Sequence, residues 1–289
     1  MNIREARKQI KSVGNVRKIT KAMQMVSAIK MRKAQQAALD GRPYQEHLEI
    51  IINKIAGKID TNLSVLLSPK IAEGSSKKDL AIVIASNKGL CGGFNMNLLR
   101  FIIKNVNFDK TDFVILGKKA ELLGKFGAKI IANYSSAIPI TNVSALFNLA
   151  LDKYLNGSYT SITLFYNKFI STLRVEPLKS VLLPLSLEME SNLNKESIKQ
   201  KDSEYIIEPD PAQIIDPLLK SFVEEKIRNA IIQNEAGEHS SRMIAMKNAT
   251  ENANDVIYNL TMLRNKLRQE KITNELLDMV TAKESVEQN

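Results

Sequence analysis

Apolar side chains repeat at two different periods along this chain, and the change of period divides it. From Ala212 to the end, Met246, Ala249, Ala253, Val256, Leu260, Leu263 and Leu267 fall at alternating steps of three and four. That is an unbroken run of a and d heptad positions. No proline follows Pro217, and the only glycine beyond Ala212 is Gly237. The pattern predicts one helix far longer than an ordinary globular helix of roughly 8–20 residues. Some 70–80 residues at about 1.5 Å each make a rod on the order of 100–120 Å, which needs a partner helix along much of its length. Residues 2–57 supply the candidate partner. Ile3, Ala6, Ile10, Val13, Val16, Ile19, Met23, Val26 and Ile29 recur at mostly three and four, with basic residues on the flanks. Gly14 weakens this helix by about 1 kcal/mol against alanine. Gly41-Arg42-Pro43 is a candidate kink, after which Leu48, Ile51, Ile52 and Ile55 resume the pattern.

Between the two rods the period changes. Residues 58–78, with Ser68-Pro69 and Glu73-Gly74-Ser75-Ser76, read as a linker. Leu80 to Ala85 is a continuous apolar run, the mark of a strand buried on both faces. Phe113–Gly117 is a second strand, Lys129–Ile131 a short third, and Ser161–Asn167 and Leu173–Leu183 are the last two. Helices are expected after the stretch Ser86–Asn95 to about Lys104, over 118–126, and over Asn142–Leu155. Alternating strands and helices imply a mostly parallel sheet, a Rossmann-like α/β domain over 79–205. Residues 188–204 are polar and read as a loop. Asp210 is a candidate N-cap and Pro211 a first helical residue for the closing helix of 206–289. The expected fold is thus an α/β domain inserted between an N-terminal helix, 1–57, and a C-terminal helix that return on each other as an antiparallel coiled coil.

Charge adds one feature. Ten basic side chains lie in residues 1–33 against the single acid Glu5, which is nine of the chain's net +10. So localised a stripe points to an acidic partner, an anionic surface or nucleic acid. One cysteine, Cys91, leaves no internal disulfide, and two histidines, His47 and His239, leave little for a zinc site. No apolar run of about 18 residues is present to span a membrane. The basic N-terminus loosely mimics a transit peptide, but its helical pattern runs on too far, and it reads as part of the mature chain.

The turn Gly89-Leu90-Cys91-Gly92-Gly93 sits where a doubly wound fold holds phosphate, yet it fits neither GxGxxG nor GxxxxGK[ST], so a tight strand-to-helix turn is the better reading. Cys91 on that turn could be a nucleophile, but the histidines lie on the rods, so a packed small residue is preferred. A forked basic helix on DNA would continue into a parallel zipper, whereas here the basic segment belongs to the apolar seam itself. The seven methionines of the rods, Met23, Met25, Met31, Met243, Met246, Met262 and Met279, suit ordinary seam packing or an interface that repacks.

Several stretches carry a resemblance. They are Ile19-Thr20-Lys21-Ala22-Met23-Gln24-Met25-Val26-Ser27-Ala28-Ile29-Lys30-Met31-Arg32-Lys33, Ser86-Asn87-Lys88-Gly89-Leu90-Cys91-Gly92-Gly93-Phe94-Asn95 and Tyr205-Ile206-Ile207-Glu208-Pro209-Asp210-Pro211. Two more are Glu238 to Ala253 and Arg268-Gln269-Glu270-Lys271-Ile272-Thr273-Asn274-Glu275-Leu276. In order and from end to end, they resemble the gamma subunit of F-type ATP synthases. The resemblance implies a rotor shaft. Its terminal helices stand inside a hexamer of alternating alpha and beta subunits, and its α/β domain meets the epsilon subunit and the ring of c subunits. Ring and shaft turn together, and the shaft drives each beta subunit through its nucleotide states. By motif match, Met23, Arg242, Arg268, Gln269 and Thr273 are expected near the catalytic subunits, and Tyr205 and Glu208 at the c ring. Ile207 stands where an aromatic is common, and the tail Thr281–Asn289 is polar where the family is small and apolar. The resemblance implies no active site, no cofactor and no nucleic acid, and a place on the cytoplasmic face of a bacterial inner membrane. The competing reading is a non-rotary adaptor of the same architecture.

Overall fold

The computed structural model describes residues 1–56, 64–67, 78–135, 139–185 and 211–287. They fall into two compact units, Ile29–Ser241 and Met1–Ala28 with Arg242–Asn289. Two long helices, α1 (Ile3–Ala56) and α4 (Pro211–Glu287), contribute to both. Helix α1 runs on through Gly41 and Pro43 without a break. Proline there lacks an N–H to donate back to Leu39, and the surrounding turns hold the helix regardless.

The unit of Ile29–Ser241 is built on five strands: β1 (Asp79–Ile84), β2 (Thr111–Leu116), β3 (Lys129–Tyr134), β4 (Ser161–Ser171) and β5 (Arg174–Leu183). Their order is β3-β2-β1-β4-β5, parallel except for the antiparallel β4–β5 hairpin. Strands β1 and β2 are buried almost throughout because both faces are covered. Ala81, Val83, Phe113, Ile115 and Phe165 face α2 (Phe94–Asn105) and the segment Lys118–Phe126. Leu80, Ile82, Val114, Ile162 and Leu164 face the other way, toward α3 (Val143–Leu155) and α4.

The helix predicted over 118–126 is present with those bounds and is a 3-10 helix. Gly117 at φ +104° and Gly127 at φ +88° bracket only nine residues, and the tighter i to i+3 bonding suits so short a span. Strand β3 extends to Tyr134 and β4 to Ser171, past the predicted ends at Ile131 and Asn167. The predicted loop over 188–204 and the predicted N-cap Asp210 lie outside the described residues, as does most of the predicted linker.

The first part of α4 is a core element of this unit. Ile215, Leu219, Phe222, Val223, Ile227, Ala230 and Ile231 are buried in one cluster with Leu48 and Ile52 of α1 and with the sheet. Their steps of four, three and one describe a wide apolar face that packs against a domain and not only against one helix. The α1 contact here is partly polar: the Asn229 amide donates to the Gln45 carbonyl, and Gln233 donates to Asn229 at 2.7 Å. Farther along, Gly237 lets α4 approach the hairpin. A Cβ built on it would lie 2.9 Å from Val175 Cγ1 and 3.2 Å from the Phe94 ring.

In the unit of Met1–Ala28 with Arg242–Asn289, α1 and α4 pack antiparallel. The start of α1 is held by a capping box: the Glu5 N–H donates to Asn2 Oδ1 at 2.8 Å, and the Asn2 N–H to Glu5 Oε2 at 2.9 Å. The segment's only acid is thus used in its cap. The Thr20 and Thr250 hydroxyls meet at 2.8 Å, and Arg17 Nη1 donates to Asn254 Oδ1 at 3.2 Å.

These contacts correct the predicted seam. On α1 the predicted Ala6 is buried and Ile3, Ile10, Val13 and Met23 are half-buried, but Thr20 and Ser27 are buried where the prediction had Ile19 and Val26, and Val16, Ile19, Val26 and Ile29 are exposed. On α4, Met246, Ala253, Leu260 and Leu267 do lie inward and Ala249 is half-buried beside Thr250, but Ile257 and Arg264 replace the predicted Val256 and Leu263 as the intervening positions. Val256 and Leu263 are exposed. At Thr20 and Thr250 short hydroxyl-bearing side chains let the helices come close enough to bond across the gap, and Ala6, Ser27 and Ala253 are buried on the same faces.

Two outcomes test this packing. Gly237→Ala raises helix propensity by about 1 kcal/mol, yet the methyl group collides with Val175. The expected net loss is about 1–2 kcal/mol in urea unfolding, partly recovered in Gly237→Ala/Val175→Ala. A stabilised single variant would contradict the close approach. A Thr20→Cys/Thr250→Cys pair puts two sulfurs where two oxygens now touch, within the reach of a disulfide. It is expected to oxidise to an internal cross-link, mapped by peptide mass. Preferential cross-linking of cysteine pairs offset by one turn would show that the register is wrong.

Candidate partner-binding surface

Moving the large apolar side chains out of the seam creates a surface. On α1, Val16, Ile19, Met25 and Val26 are exposed, Ile19 to 59%. All ten basic side chains of residues 1–33 are exposed as well. A long α1 face is therefore both oily and positive. On α4, Val256, Tyr258, Met262 and Leu263 are exposed at their own level. Beyond Leu267 every residue through Ala282 is exposed, including Ile272, Leu276, Leu277, Met279 and Val280. Ile272, Leu276 and Met279 keep the step of four and three that marks a packing stripe. Contiguous apolar surface of this extent marks an interaction site rather than a solvated face.

The residues predicted at the catalytic subunits are distributed unevenly on this unit. Arg268, Gln269 and Thr273 are exposed on α4, with the Thr273 hydroxyl donating to the Gln269 carbonyl at 3.0 Å. Met23 is half-buried on α1. Arg242 is only 7% exposed, covered by its own chain. Tyr205 and Glu208, and with them Ile207, lie outside the described residues. The sequence reading missed Val16, Ile19, Val26, Val256 and Leu263 as outward residues by assigning them to the seam. The seven-residue recurrence of small side chains from Ala6 to Ala34 was the signal that could have separated the two faces.

The glycine turn is filled by the protein. Asn95, in the first turn of α2, accepts the Ser86 N–H at 3.1 Å and donates through Nδ2 to Ser86 Oγ at 2.7 Å and to Cys91 Sγ at 3.2 Å. Ser86 Oγ also lies 2.8 Å from the Lys88 carbonyl. Cys91 is buried, and its sulfur serves as a hydrogen-bond acceptor that ties strand β1 to helix α2. Gly117 must be glycine here, since a Cβ would fall 2.2 Å from the Ala85 carbonyl oxygen. These contacts make a packed strand-to-helix turn, as the sequence reading preferred.

Two charged clusters brace the unit of Ile29–Ser241. Asp112, buried at the start of β2, accepts from the Tyr159 hydroxyl at 2.9 Å and lies 3.6 Å from Lys129 Nζ and 4.0 Å from Lys78 Nζ. Burial, reinforced by the Asp112 carboxylate, pushes the Tyr159 hydroxyl up to about 12. On α4, His239 Nε2 lies 3.7 Å from Glu235 Oε1. That contact, with Lys30 and Lys33 of α1 nearby, holds the Glu235 carboxyl below its ordinary range. Among the described residues no helix is long and apolar enough to cross a membrane, and no group of three or more acidic, histidine or cysteine side chains is placed to hold a metal.

The comparisons with known proteins cover the whole chain. The family model described as ATP synthase matches residues 2–286. The ATP synthase gamma chain of Akkermansia muciniphila is 34% identical over 294 residues, covering 99% of both chains. That of Verminephrobacter eiseniae is 39% identical over 292 residues, covering 96% of both. Among solved structures, a chain of the Euglena gracilis mitochondrial ATP synthase, OSCP/F1/c-ring, superposes with a TM-score of 0.67 at 19% identity, covering 98% of this chain and 94% of that one. A chain of the Tetrahymena thermophila mitochondrial ATP synthase central stalk and c ring superposes with a TM-score of 0.56 at 22% identity, covering 80% and 99%. The structural likeness establishes a shared fold, and the full-length sequence identity goes further: this chain belongs to the ATP synthase gamma chain family.

Proposed function

We propose that this chain is the central rotor shaft of an F-type ATP synthase, coupling rotation of a c ring to the conformational cycle of the catalytic beta subunits. The observation that carries the reading is the outward placement of large apolar and basic side chains along the α1/α4 pair. A pair that buried those side chains would be a finished coiled coil with a solvated exterior. This pair buries Ala6, Thr20, Ser27, Met246 and Ala253 and still presents Val16, Ile19, Val26, Leu263, Leu276 and Met279 to its surroundings. A sleeve of other subunits is what such a surface fits.

The partners in this reading are the alpha and beta subunits as a hexamer around the helix pair, the epsilon subunit and the c ring. The surface basic residues act on beta-subunit carboxylates as each passes, steering and biasing rather than locking them. A shaft shifts a beta subunit between states only by its differential affinity for those states, so an asymmetric face is the functional requirement. Met23, Arg242, Arg268, Gln269 and Thr273 are the proposed contacts to the catalytic subunits. Arg242, buried by its own chain, acts there by shaping the surface around it. Tyr205 and Glu208 are the proposed c-ring contacts. The chain carries no active site of its own, needs no cofactor, and lies peripherally at the cytoplasmic face of a bacterial inner membrane through the complex. The full-length match to ATP synthase gamma chains favours the rotor over a non-rotary coiled-coil adaptor with an α/β head.

Two measurements test the reading. Mixed with competent alpha and beta subunits, the chain is expected to co-elute at one copy per hexamer and to raise ATP hydrolysis strongly. Absence of association would leave only the adaptor reading. Within the assembled membrane complex, Arg268→Ala/Gln269→Ala is expected to lower coupled ATP synthesis by about fivefold, the factor for roughly 1 kcal/mol of lost differential binding. Full synthesis in an intact complex would remove these two residues from the contact.

A further inference from the structure

In open α/β sheets ligands bind outside the carboxyl ends of the strands, at the point where strand order reverses. In this sheet that point is β1, with β2 and β3 to one side and β4 and β5 to the other. Strand β4 pairs with β1 only as far as Phe165, so β4 and β5 continue past the end of β1 as a projecting hairpin. The crevice between hairpin and sheet is occupied by the chain's own helix α4. The Asn167 N–H donates to Asn234 Oδ1 at 3.2 Å, and Asn167 Nδ2 donates to the Phe94 carbonyl at 3.4 Å. Gly237 faces Val175 and Phe94 with no side chain between. The Ser240 hydroxyl donates to the Thr172 carbonyl at the hairpin tip. Asn167, Asn234 and Ser240 are all buried.

From Ile215 to Ile231 the helix is held mainly by apolar packing, which is strong but non-directional, with side-chain hydrogen bonds from Ser64 to Asp216, from Ser144 to Glu224 and from Asn229 to Gln45 beside it. At Asn234, Gly237 and Ser240, spaced three residues apart, it is held by directional hydrogen bonds to backbone groups and by a backbone-level fit. The bonds reach three places: strand β4, the hairpin tip and, through Asn167, the start of α2. An arrangement of that kind resists rotation of the helix about its own axis, which apolar packing alone does poorly. Asn167 and Asn234 are also costly to bury unless they do this bonding, since each unpaired amide group would carry a desolvation penalty.

We propose that Asn234, Gly237 and Ser240 form the torque joint of the shaft, the contact through which twist passes between α4 and the α/β fold. The proposal rests on the rotor reading above and assigns these three residues a positioning role within it. No ligand is assigned to the crevice: the position that binds ligands in related sheets is used here to grip a helix.

The test uses the complete membrane complex carrying Asn234→Ala/Ser240→Ala. Three quantities are read: ATP hydrolysis by the complex released from its c ring, protons pumped per ATP in membranes, and the angular spread of a bead on the c ring at each dwell. Hydrolysis without the ring carries no load across the joint and is expected to stay near the unaltered rate. Pumping per ATP is expected to fall, and angular spread to rise, each by about twofold or more, the lower end for residues along a coupling network. Gly237→Ala, which wedges the joint open, is expected to give the same loss, and Gly237→Ala/Val175→Ala to restore it. Unchanged pumping and spread in an assembled complex would overturn the joint. If the asparagine–serine variant fails to assemble, the glycine variant and its rescue decide: loss without rescue overturns the proposal. A bead that does not turn with the unaltered chain would refute the rotor reading itself, whereas normal rotation unaffected by the variants would remove only the joint.

Discussion

The close approach of two helices through small residues is the constraint on which the rest depends. Ala6, Thr20, Ser27 and Ala253 are buried where α1 meets α4, and the Thr20–Thr250 contact joins the two helices directly. Each threonine hydroxyl also has a carbonyl of its own helix within reach, that of Arg17 at 3.1 Å and that of Met246 at 2.7 Å. With one proton apiece, one hydroxyl bonds across the gap while the other bonds back to its own helix. A leucine seam would bury more area. It would also use up the large apolar residues that this pair needs on its outside. Thinness at the seam and stickiness on the surface are therefore one choice, made by placing small residues at one heptad position.

The α/β unit solves a different problem, that of anchoring a helix whose remainder belongs to another compact unit. Half of the solution is area: Phe222, Ile227 and Ile231 sink into the sheet's own core. The other half is shape. Gly237 is the one glycine in α4, and a Cβ placed there would crowd Val175. The glycine turn is tied to this anchoring through Phe94. Asn95 fixes the turn internally, so α2 starts at a defined place and offers the Phe94 carbonyl to Asn167.

Much of this was legible in the sequence. Long apolar runs such as Leu80–Ala85 identify buried parallel strands because no other local structure buries every side chain over six residues. The lengths of α1 and α4 follow from the lack of breakers, Pro43 being tolerated inside an otherwise strong helix. The faces of those helices were not legible in the same way. Counting apolar residues at three and four assumes that the largest side chains point inward, and here Val16, Ile19 and Val256 point outward. Periodicity reports amphipathicity but not which side faces the same chain. The 3-10 form of Lys118–Phe126 escaped for a simpler reason, since nine residues between two glycines fit either helix until the strands fix the span. The role of Gly237 lay beyond any local pattern, because it is set by contacts to Val175 and Phe94, dozens of residues away.

The bare end of α4 has a consequence for how the cell must handle this protein. From Arg268 to Ala282 every side chain is exposed, and Met279 is open to 68%. Until partner subunits arrive, that stripe is an adhesive surface of the kind that chaperones hold and proteases clear. Any copies made in excess of their partners are therefore a burden and not a reserve. Supply of this chain has to be matched to supply of its sleeve, so its gene dosage and translation rate are constrained by the same apolar side chains that equip the finished machine.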